Sequence, residues 1–298
     1  MLANRKLQYL ERHPLEIALV LLLAILYMPL LLHWVDGWIN KSISIQHEYF
    51  SHGLIGLPFA AYIAWEHRQR WQRLGSQMNP AGLVIVGIGA VFYLSGLSDW
   101  INFSLPLMLV GICLTLKGSP GLRLQTFPLL LVVLATPSQV PYLIESYILP
   151  LQRFIAGAAG FLLIQFGIDV DVNQIYLLVN GQPVEVAPHC AGLKMLFTSL
   201  YVGMMLLYWT GVGRSRLQTG VFLILTAALS VVGNIIRNTL LSYFHGTGQE
   251  GAFDWLHESW GGDLYSATLL FLLIVLIRAV QHYVPPTLAL QLDQNSDV

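Results

Sequence analysis

The chain has 298 residues, of which 55% are hydrophobic and only 10% are charged, and its formal net charge is −1. Its mean hydropathy is +0.63. About one quarter of the residues in a soluble globular domain are charged, so this composition predicts an integral membrane protein. The near-neutral charge gives no general attraction to nucleic acid. The two cysteines, Cys113 and Cys190, do not make a disulfide framework.

Eight apolar stretches follow one another along the chain, and each is a candidate transmembrane helix. A spanning helix needs roughly 20 apolar residues. The fold class predicted is therefore an all-α polytopic membrane protein with about eight transmembrane helices. The candidate spans are residues 15–35, 53–66, 81–97, 101–117, 124–137, 190–209, 217–241 and 263–283.

A ninth apolar stretch, 143–166, is predicted not to cross the membrane. Lys and Arg near helix ends collect on the cytoplasmic side, and a crossing here would place the loop GVGRSR and Arg278 outside. We therefore expect an extracytoplasmic interfacial or re-entrant segment. In this interpretation Pro150 interrupts the segment, and Glu145, Gln152 and Arg153 supply a wet face.

The same charge pattern predicts the orientation of the protein. Residues 1–14 form a cytoplasmic N-terminus, and residues 284–298 form a cytoplasmic tail. No stretch is long and polar enough for a separate soluble domain, so we expect one membrane-embedded domain over 1–298. The expected location is the cell inner (plasma) membrane, with the chain crossing it several times.

A short polar and apolar alternation precedes the second cysteine. The stretch DVDVNQIYLLVNGQPVEVAP contains Asn180-Gly181, a strong signal for a two-residue turn. It predicts a small outer β-hairpin that leads into Cys190. An irregular loop is the alternative interpretation.

Cys190 lies at the predicted N-terminus of a helix. Pro188 suits a first helical turn because it has no amide hydrogen to satisfy. Unpaired amides and the helix dipole at such an N-terminus favour the thiolate, the form that attacks carbonyls. A lone cysteine in a membrane protein is as often a small apolar filler, and Cys113, inside the fourth span, fits that description.

Two further residues are expected on the same outer face. Arg237, flanked by Asn234 and Asn238, lies about 30 Å along the seventh span, at 1.5 Å per residue. His257 lies in the outer loop before the last span. A snorkelling arginine and a surface histidine are the simpler explanations of these two. Together, however, a thiolate, a proton-shuttling histidine and a guanidinium for the oxyanion are what a thiol acyl transferase needs.

Four motifs in these positions resemble those of the exosortase/archaeosortase family. They are CAGLKML after the extended outer segment, NIIRN late in the next helix, HESWGG before the last helix, and YFSHGLIGLPFAAYIAW near the start. The resemblance covers about residues 49–283. Family members often carry Ser where this chain has Ala191. The form HCAGLKML looks more like the cyanobacterial exosortase branch.

The resemblance implies a multi-pass cysteine transpeptidase that cleaves C-terminal sorting signals of exported proteins. Such a signal has a Pro-Glu-Pro type motif, a transmembrane helix and a basic tail. Cys190 would be the nucleophile, Arg237 would orient the substrate or stabilise the oxyanion, and His257 would be the general acid and base. The implied partners are C-terminally anchored exported proteins and the lipid bilayer, with no nucleic acid, cofactor or metal.

Four residues are expected to support or bind the substrate: His52, His189, Lys194 and Asn234. His52 belongs to the Ser-His-Gly motif at the outer end of the second span, and capping of a helix start is its alternative role. His189 directly precedes Cys190. Lys194, four residues after Cys190, is expected on the same helix face, where its charge favours the thiolate or it snorkels instead.

Two other functions fit the same residues. In the first, an anion-binding transporter uses Arg237, Lys194 and His257, but this predicts two related halves with interrupted helices, and the sequence shows no such repeat. The second is a non-catalytic membrane scaffold. It predicts that no exported protein forms a thiol-dependent adduct.

Overall fold

The structure is a computed structural model that describes residues 14–39, 49–75, 77–145, 147–186, 192–257 and 259–286. The described chain is mostly helical, with one small sheet. The helices are α1 (Pro14–Ile39), α2 (Gly53–Glu66), α3 (Arg68–Arg73), α4 (Pro80–Leu94), α5 (Ser98–Leu124), α6 (Thr126–Ala135), α7 (Val140–Glu145), α8 (Leu149–Gln165), α9 (Leu193–Thr210), α10 (Arg216–Gly246), α11 (Glu250–His257) and α12 (Trp260–Tyr283).

Five helices in the described part of the chain are long and apolar enough to cross a membrane. They lie within α1, α5, α9, α10 and α12, and each overlaps one of the predicted spans. The prediction of a multi-pass helical membrane protein is therefore confirmed. The remaining three predicted spans correspond to the shorter helices α2, α4 and α6, so the total of eight stays a prediction.

The chain divides into two compact units. One comprises Met1–Leu54 and Ala60–Ser138, and the other comprises Ile55–Phe59 and Gln139–Val298. Each unit is described below by itself. The prediction of a single membrane-embedded domain over 1–298 stays a prediction.

In the first unit, α4 and α5 pack closely because glycines remove side chains from their contact. A Cβ on Gly82 would lie 2.5 Å from the Thr115 backbone nitrogen and 2.7 Å from the Gly111 carbonyl oxygen. Close approach through small residues is typical of helix pairs in membranes. Buried polar groups are paired as well: Asn102 accepts from the Trp34 indole at 2.8 Å and donates to the Pro137 carbonyl at 3.0 Å.

Helix α5 contains a sharp kink at Gly118, one residue beyond the predicted end of its span. Gly118 has φ 62° and ψ −154°, a conformation outside the helical region. Lys117, which precedes it, is buried and donates to the Leu74 carbonyl at 3.0 Å. This hydrogen bond satisfies part of a charged group that burial would otherwise penalise.

The second unit contains the segment 143–166, whose break lies earlier than expected. Helix α7 ends at Glu145 and α8 begins at Leu149, so Pro150 stands in the first turn of α8 rather than interrupting a helix. This is where proline is best tolerated. Gln152 was predicted on a wet face, but it is only 4% exposed and donates to the Val186 carbonyl at 2.9 Å. Whether the segment crosses the bilayer stays a prediction.

Three strands, rather than a two-stranded hairpin, precede the cysteine segment. Strands β1 (Val170–Asn173), β2 (Tyr176–Val179) and β3 (Gln182–Glu185) form an antiparallel sheet in the order β1-β2-β3. The predicted turn is confirmed, because Val179 pairs with Gln182 across Asn180 and Gly181. Both turn residues have positive φ, 49° and 82°, as a type I′ hairpin turn requires.

This sheet is anchored to the helices by its apolar side. Leu177 and Val179 are fully buried. Val179 packs on Gly246, at the end of α10, where a Cβ would lie 2.5 Å from the valine Cβ. Asn180 also donates to the Gly246 carbonyl at 3.1 Å. The sheet and the Gln152 contact therefore hold the chain firmly up to Val186, four residues before Cys190.

Candidate active site

Cys190 and His189, the predicted nucleophile and its neighbouring histidine, lie outside the described residues. Their roles stay predictions. The chain on either side of them is described, up to Val186 and again from Gly192. Gly192 is covalently two residues from Cys190, so the two Cα atoms cannot be more than about 7.6 Å apart.

Gly192 is the N-cap of α9 and adopts a left-handed conformation, with φ 82° and ψ 7°. No side chain caps this end of the helix within the described part of the chain. The first backbone N–H groups of a helix have no partner inside it and carry its positive dipole end. The helix thus presents amide donors and partial positive charge next to the cysteine position.

Asn234, on α10, packs directly beneath Gly192. A Cβ on Gly192 would lie 2.6 Å from both the Cγ and the Nδ2 of Asn234. The asparagine is only 1% exposed. Neither its Nδ2 nor its Oδ1 has a hydrogen-bond partner among the residues that the structure describes. An unsatisfied buried amide costs about 1–3 kcal/mol, so its presence requires an explanation.

Arg237 lies three residues further along α10 and is half-buried. Its Nη2 approaches Gly262 near the start of α12, where an added Cβ would lie 3.9 Å from that nitrogen. Tyr265, one turn into α12, donates to the Gly233 carbonyl at 2.5 Å and so ties α12 to α10 beside the arginine. The guanidinium therefore points toward the α11 to α12 junction.

His257 is the last residue of α11 and is half-buried. Its ring stacks on Phe253, one turn earlier, with centroids 5.1 Å apart and an angle of 15° between the planes. The preceding residue, Leu256, has its carbonyl oxygen 2.8 Å from a Cβ that would be added to Gly262. Arg237 Nη2 and the turn that carries His257 thus approach the same small residue.

Glycine is needed at this junction because α11 and α12 meet without space for side chains. At Gly261, a Cβ would lie 2.5 Å from the Trp255 ring, and Trp255 itself packs edge to face on Trp260 at 5.2 Å. Gly262 faces the Leu256 carbonyl in the same way. These close contacts fix the position of the last turn of α11, where His257 lies.

The predicted position of Lys194 needs a correction. We expected a helix from residue 190, which would put Lys194 on the same face as Cys190. The helix instead begins at Leu193, and Gly192 before it is left-handed, so the four-residue helical spacing does not apply across it. Lys194 is half-buried in the first turn of α9, and its role in the site stays a prediction.

His52 belongs to the first compact unit. It is 5% exposed, occupies the N-cap position of α2 without a side-chain cap, and its Nε2 lies 3.1 Å from the Leu134 carbonyl oxygen. Burial, which outweighs that contact, lowers the pKa of His52 to about 4. The ring is therefore neutral near pH 7, and since a carbonyl only accepts, Nε2 carries the hydrogen. A substrate-binding role for His52 stays a prediction.

Three residues of this region were not selected from the sequence. Gly192 and Gly262 belong to the quoted motifs CAGLKML and HESWGG. The sequence does not show, however, which atoms of other helices pack against these glycines. Tyr265 lies in an apolar helix, where tyrosine is ordinary. Its bond to Gly233 depends on the pairing of α10 with α12, which short motifs do not reveal.

Comparison with known proteins adds one finding. The family model described as "Transmembrane exosortase" matches residues 34–274. A comparison with curated proteins finds no significant match, and neither does a comparison with solved structures. The matched region includes the elements β1–β3 and α9–α11 and most of α12. The chain therefore belongs to the transmembrane exosortase family.

Proposed function

We propose that this protein is a membrane cysteine transpeptidase that cleaves C-terminal sorting signals of exported proteins. Its substrates are exported proteins that end in a Pro-Glu-Pro type motif, a transmembrane helix and a basic tail. Cys190 is the nucleophile, His257 is the general acid and base, and Arg237 orients the substrate or stabilises the oxyanion. Membership of the exosortase family, which is generally one of cysteine transpeptidases, supports this assignment.

One observation carries the proposal beyond family membership. Arg237 and the turn ending at His257 come from separate helices, twenty residues apart in the sequence, and both approach Gly262. A charged guanidinium in a membrane-embedded bundle is costly and is generally retained for function. The approach of these elements supports a shared site. The contact of Gly192 with Asn234, one turn before Arg237, supports including the neighbouring Cys190 position in it.

The proposed reaction transfers an acyl group through the cysteine. The Cys190 thiolate attacks the scissile carbonyl carbon, a C–S bond forms, and the carbonyl electron pair moves onto oxygen. When that pair returns, the C–N bond breaks and the leaving amine takes a proton from protonated His257. The thioester is then attacked by an amine or water, which gives its proton to His257, and the Cys190 thiolate leaves.

The proposed site lies on the extracytoplasmic face of the plasma membrane, with both termini in the cytoplasm. The distribution of Lys and Arg along the chain supports this orientation. Because enzyme and substrate are both anchored in the same bilayer, their effective concentration is high, and weak recognition of the signal is sufficient.

The test is co-expression with an exported protein that ends in a Pro-Glu-Pro motif, an apolar helix and a basic tail. Cys190→Ala should leave the substrate at full length while the enzyme accumulates in the membrane at its normal level. Cys113→Ala is the matched control, because it removes the other cysteine, and processing should continue. Normal processing by Cys190→Ala would refute the nucleophile assignment.

A second measurement separates this function from the two alternatives. Mass spectrometry of the trapped enzyme should show an acyl adduct on Cys190. A scaffold would form no such adduct, and a transporter would retain anion uptake in Cys190→Ala.

A further inference from the structure

The unpartnered side chain of Asn234 is a feature of the described chain that the proposed reaction does not yet use. It is 1% exposed, and both of its polar atoms lack a hydrogen-bond partner among the described residues. A carboxamide offers two N–H donors and one acceptor oxygen. Buried amides are almost always satisfied in folded proteins, so one that is not is a candidate for binding a ligand.

The surroundings of Asn234 show where such a ligand would lie. Its Nδ2 and Cγ face Gly192, the N-cap residue of α9, which has no side chain to cap the helix. Two kinds of donor are therefore neighbours there: the side-chain amide of Asn234 beside Gly192, and the backbone N–H groups of the first turn of α9, which begins at the next residue. Their partial charges are both positive, so the arrangement favours an oxygen that carries negative charge.

We propose that Asn234 is the oxyanion donor of the transpeptidation: its Nδ2–H binds the carbonyl oxygen of the scissile peptide as the tetrahedral intermediate forms. This inference rests on the proposed function. It deepens that function by separating two roles, since Arg237 then positions the substrate and Asn234 stabilises the reacting oxygen. When sulfur attacks and the carbonyl pair moves onto oxygen, the oxyanion accepts the Asn234 hydrogen bond. When the C–N bond breaks, the pair returns to the carbonyl.

The physical reason is preorganisation. Donors held rigidly in a site without water stabilise developing charge without having to reorient during the reaction. Asn234 is held by burial on α10, and Gly192 lets the chain backbone approach it without an intervening side chain. An amide that bonded another side chain would have to exchange that partner for the oxyanion.

The neighbouring polar residues provide a control. Ser230 lies one turn before Asn234 on the same helix, is also 1% exposed, and its hydroxyl likewise has no partner in the described part of the chain. Ser230→Ala therefore makes a comparable change from polar to apolar, at a position one turn further from Gly192.

The experiment uses the full-length protein in liposomes and a synthetic Pro-Glu-Pro, apolar helix and basic tail substrate. Asn234→Leu removes the amide and keeps the number and branching of the side-chain heavy atoms. It should lower kcat about 100-fold, as expected for loss of one oxyanion donor, and change KM by less than about threefold. The thermal midpoint of Asn234→Leu should not fall, because a buried unsatisfied amide is replaced by an apolar group. Ser230→Ala should retain parental kcat and KM.

Each outcome bears on a different statement. A parental kcat in Asn234→Leu, with Cys190→Ala inactive, would overturn the role of Asn234 and leave the proposed function standing. A lower thermal midpoint in Asn234→Leu, with kcat falling in proportion to folded protein, would show a structural role instead and also overturn it. Cleavage by Cys190→Ala, or no cleavage by the parent protein, would refute the proposed function itself.

Discussion

Gly192 and Asn234 are in such close contact that no other residue fits at the glycine without displacing the asparagine. A Cβ at position 192 would lie 2.6 Å from the amide carbon, and Gly192 also has a φ of +82°. The contact joins the start of α9 to α10 at the point where the chain emerges from the cysteine segment. Disturbing it should therefore affect the proposed chemistry more than the fold.

Gly192→Ala tests this contact directly. We expect it to lower cleavage at least tenfold, because the added methyl group must push the Asn234 amide aside. Left-handed backbone alone costs an alanine roughly 1–2 kcal/mol of stability. Gly211→Ala controls for that cost: Gly211 caps the other end of α9 with φ +74° and has no atom within 4 Å of an added Cβ. Equal losses of cleavage in the two variants would contradict the prediction.

Gly262→Ala tests the position of His257. An added Cβ would lie 2.8 Å from the Leu256 carbonyl oxygen, a backbone atom that cannot move without moving the last turn of α11. We expect kcat to fall several-fold in a steady-state cleavage assay. Gly251→Ala, on α11 itself, adds the same methyl group with nothing within 4 Å and should leave kcat unchanged. A parental kcat in Gly262→Ala would show that the junction does not position the histidine.

Gln152→Leu tests the anchor of the strand that leads to Cys190. It leaves the Val186 carbonyl without its 2.9 Å donor, which should cost about 1–2 kcal/mol of stability and speed amide hydrogen exchange at residues 170–186. Arg153→Ala removes the neighbouring exposed side chain, whose contact is a 3.2 Å bond to Gln174. That surface contact is worth little, so exchange in Arg153→Ala should match the parent. Identical exchange in Gln152→Leu would refute the anchoring role.

His52 should make the protein sensitive to acid. Its pKa is lowered to about 4, chiefly by burial, while an unfolded histidine titrates near 6.5. Between these values the unfolded chain binds more protons, so stability falls as pH decreases from about 6.5 to about 4. The expected loss is about 3 kcal/mol.

The measurement is the thermal midpoint in detergent at pH 7 and pH 4.5. His52→Gln keeps an amide donor for the Leu134 carbonyl and removes the titration, so its midpoint should fall less than that of the parent. Parallel pH dependences in the two proteins would assign the acid sensitivity to other groups.

The sequence predicted the helices of this protein well because the length of an apolar stretch can be read along the chain without knowledge of tertiary contacts. The predicted span 53–66 has the same bounds as α2, and the span 101–117 ends one residue before the Gly118 kink. The Asn180-Gly181 turn was also correct, since its conformation depends on two adjacent residues. Membership of the exosortase family, predicted from four short motifs, was confirmed.

Features that depend on tertiary contacts were harder to predict. The prediction that Gln152 lies on a solvent-exposed face was wrong, because its side-chain amide donates to the carbonyl of Val186, 34 residues away. The third strand was not predicted because the turn between β1 and β2 contains no glycine. Gln174 adopts the positive φ of 58° in that turn instead. Likewise, no local pattern shows that Asn234 would lie beneath Gly192. Such contacts depend on how α9 and α10 pack.

The length of α10 has a consequence for how a substrate would be reached. Its 31 residues extend about 46 Å, whereas the hydrocarbon layer is about 30 Å thick. The sheet docks on Gly246 at the C-terminal end and has exposed polar residues on β3, which lipid does not tolerate. We therefore expect the excess length at this end. In that arrangement Arg237, nine residues before Gly246, would lie close to the hydrocarbon boundary. For the proposed reaction, this means that a membrane-anchored substrate would place only its apolar anchor helix in the lipid, while its scissile bond would stay at the level of the headgroups.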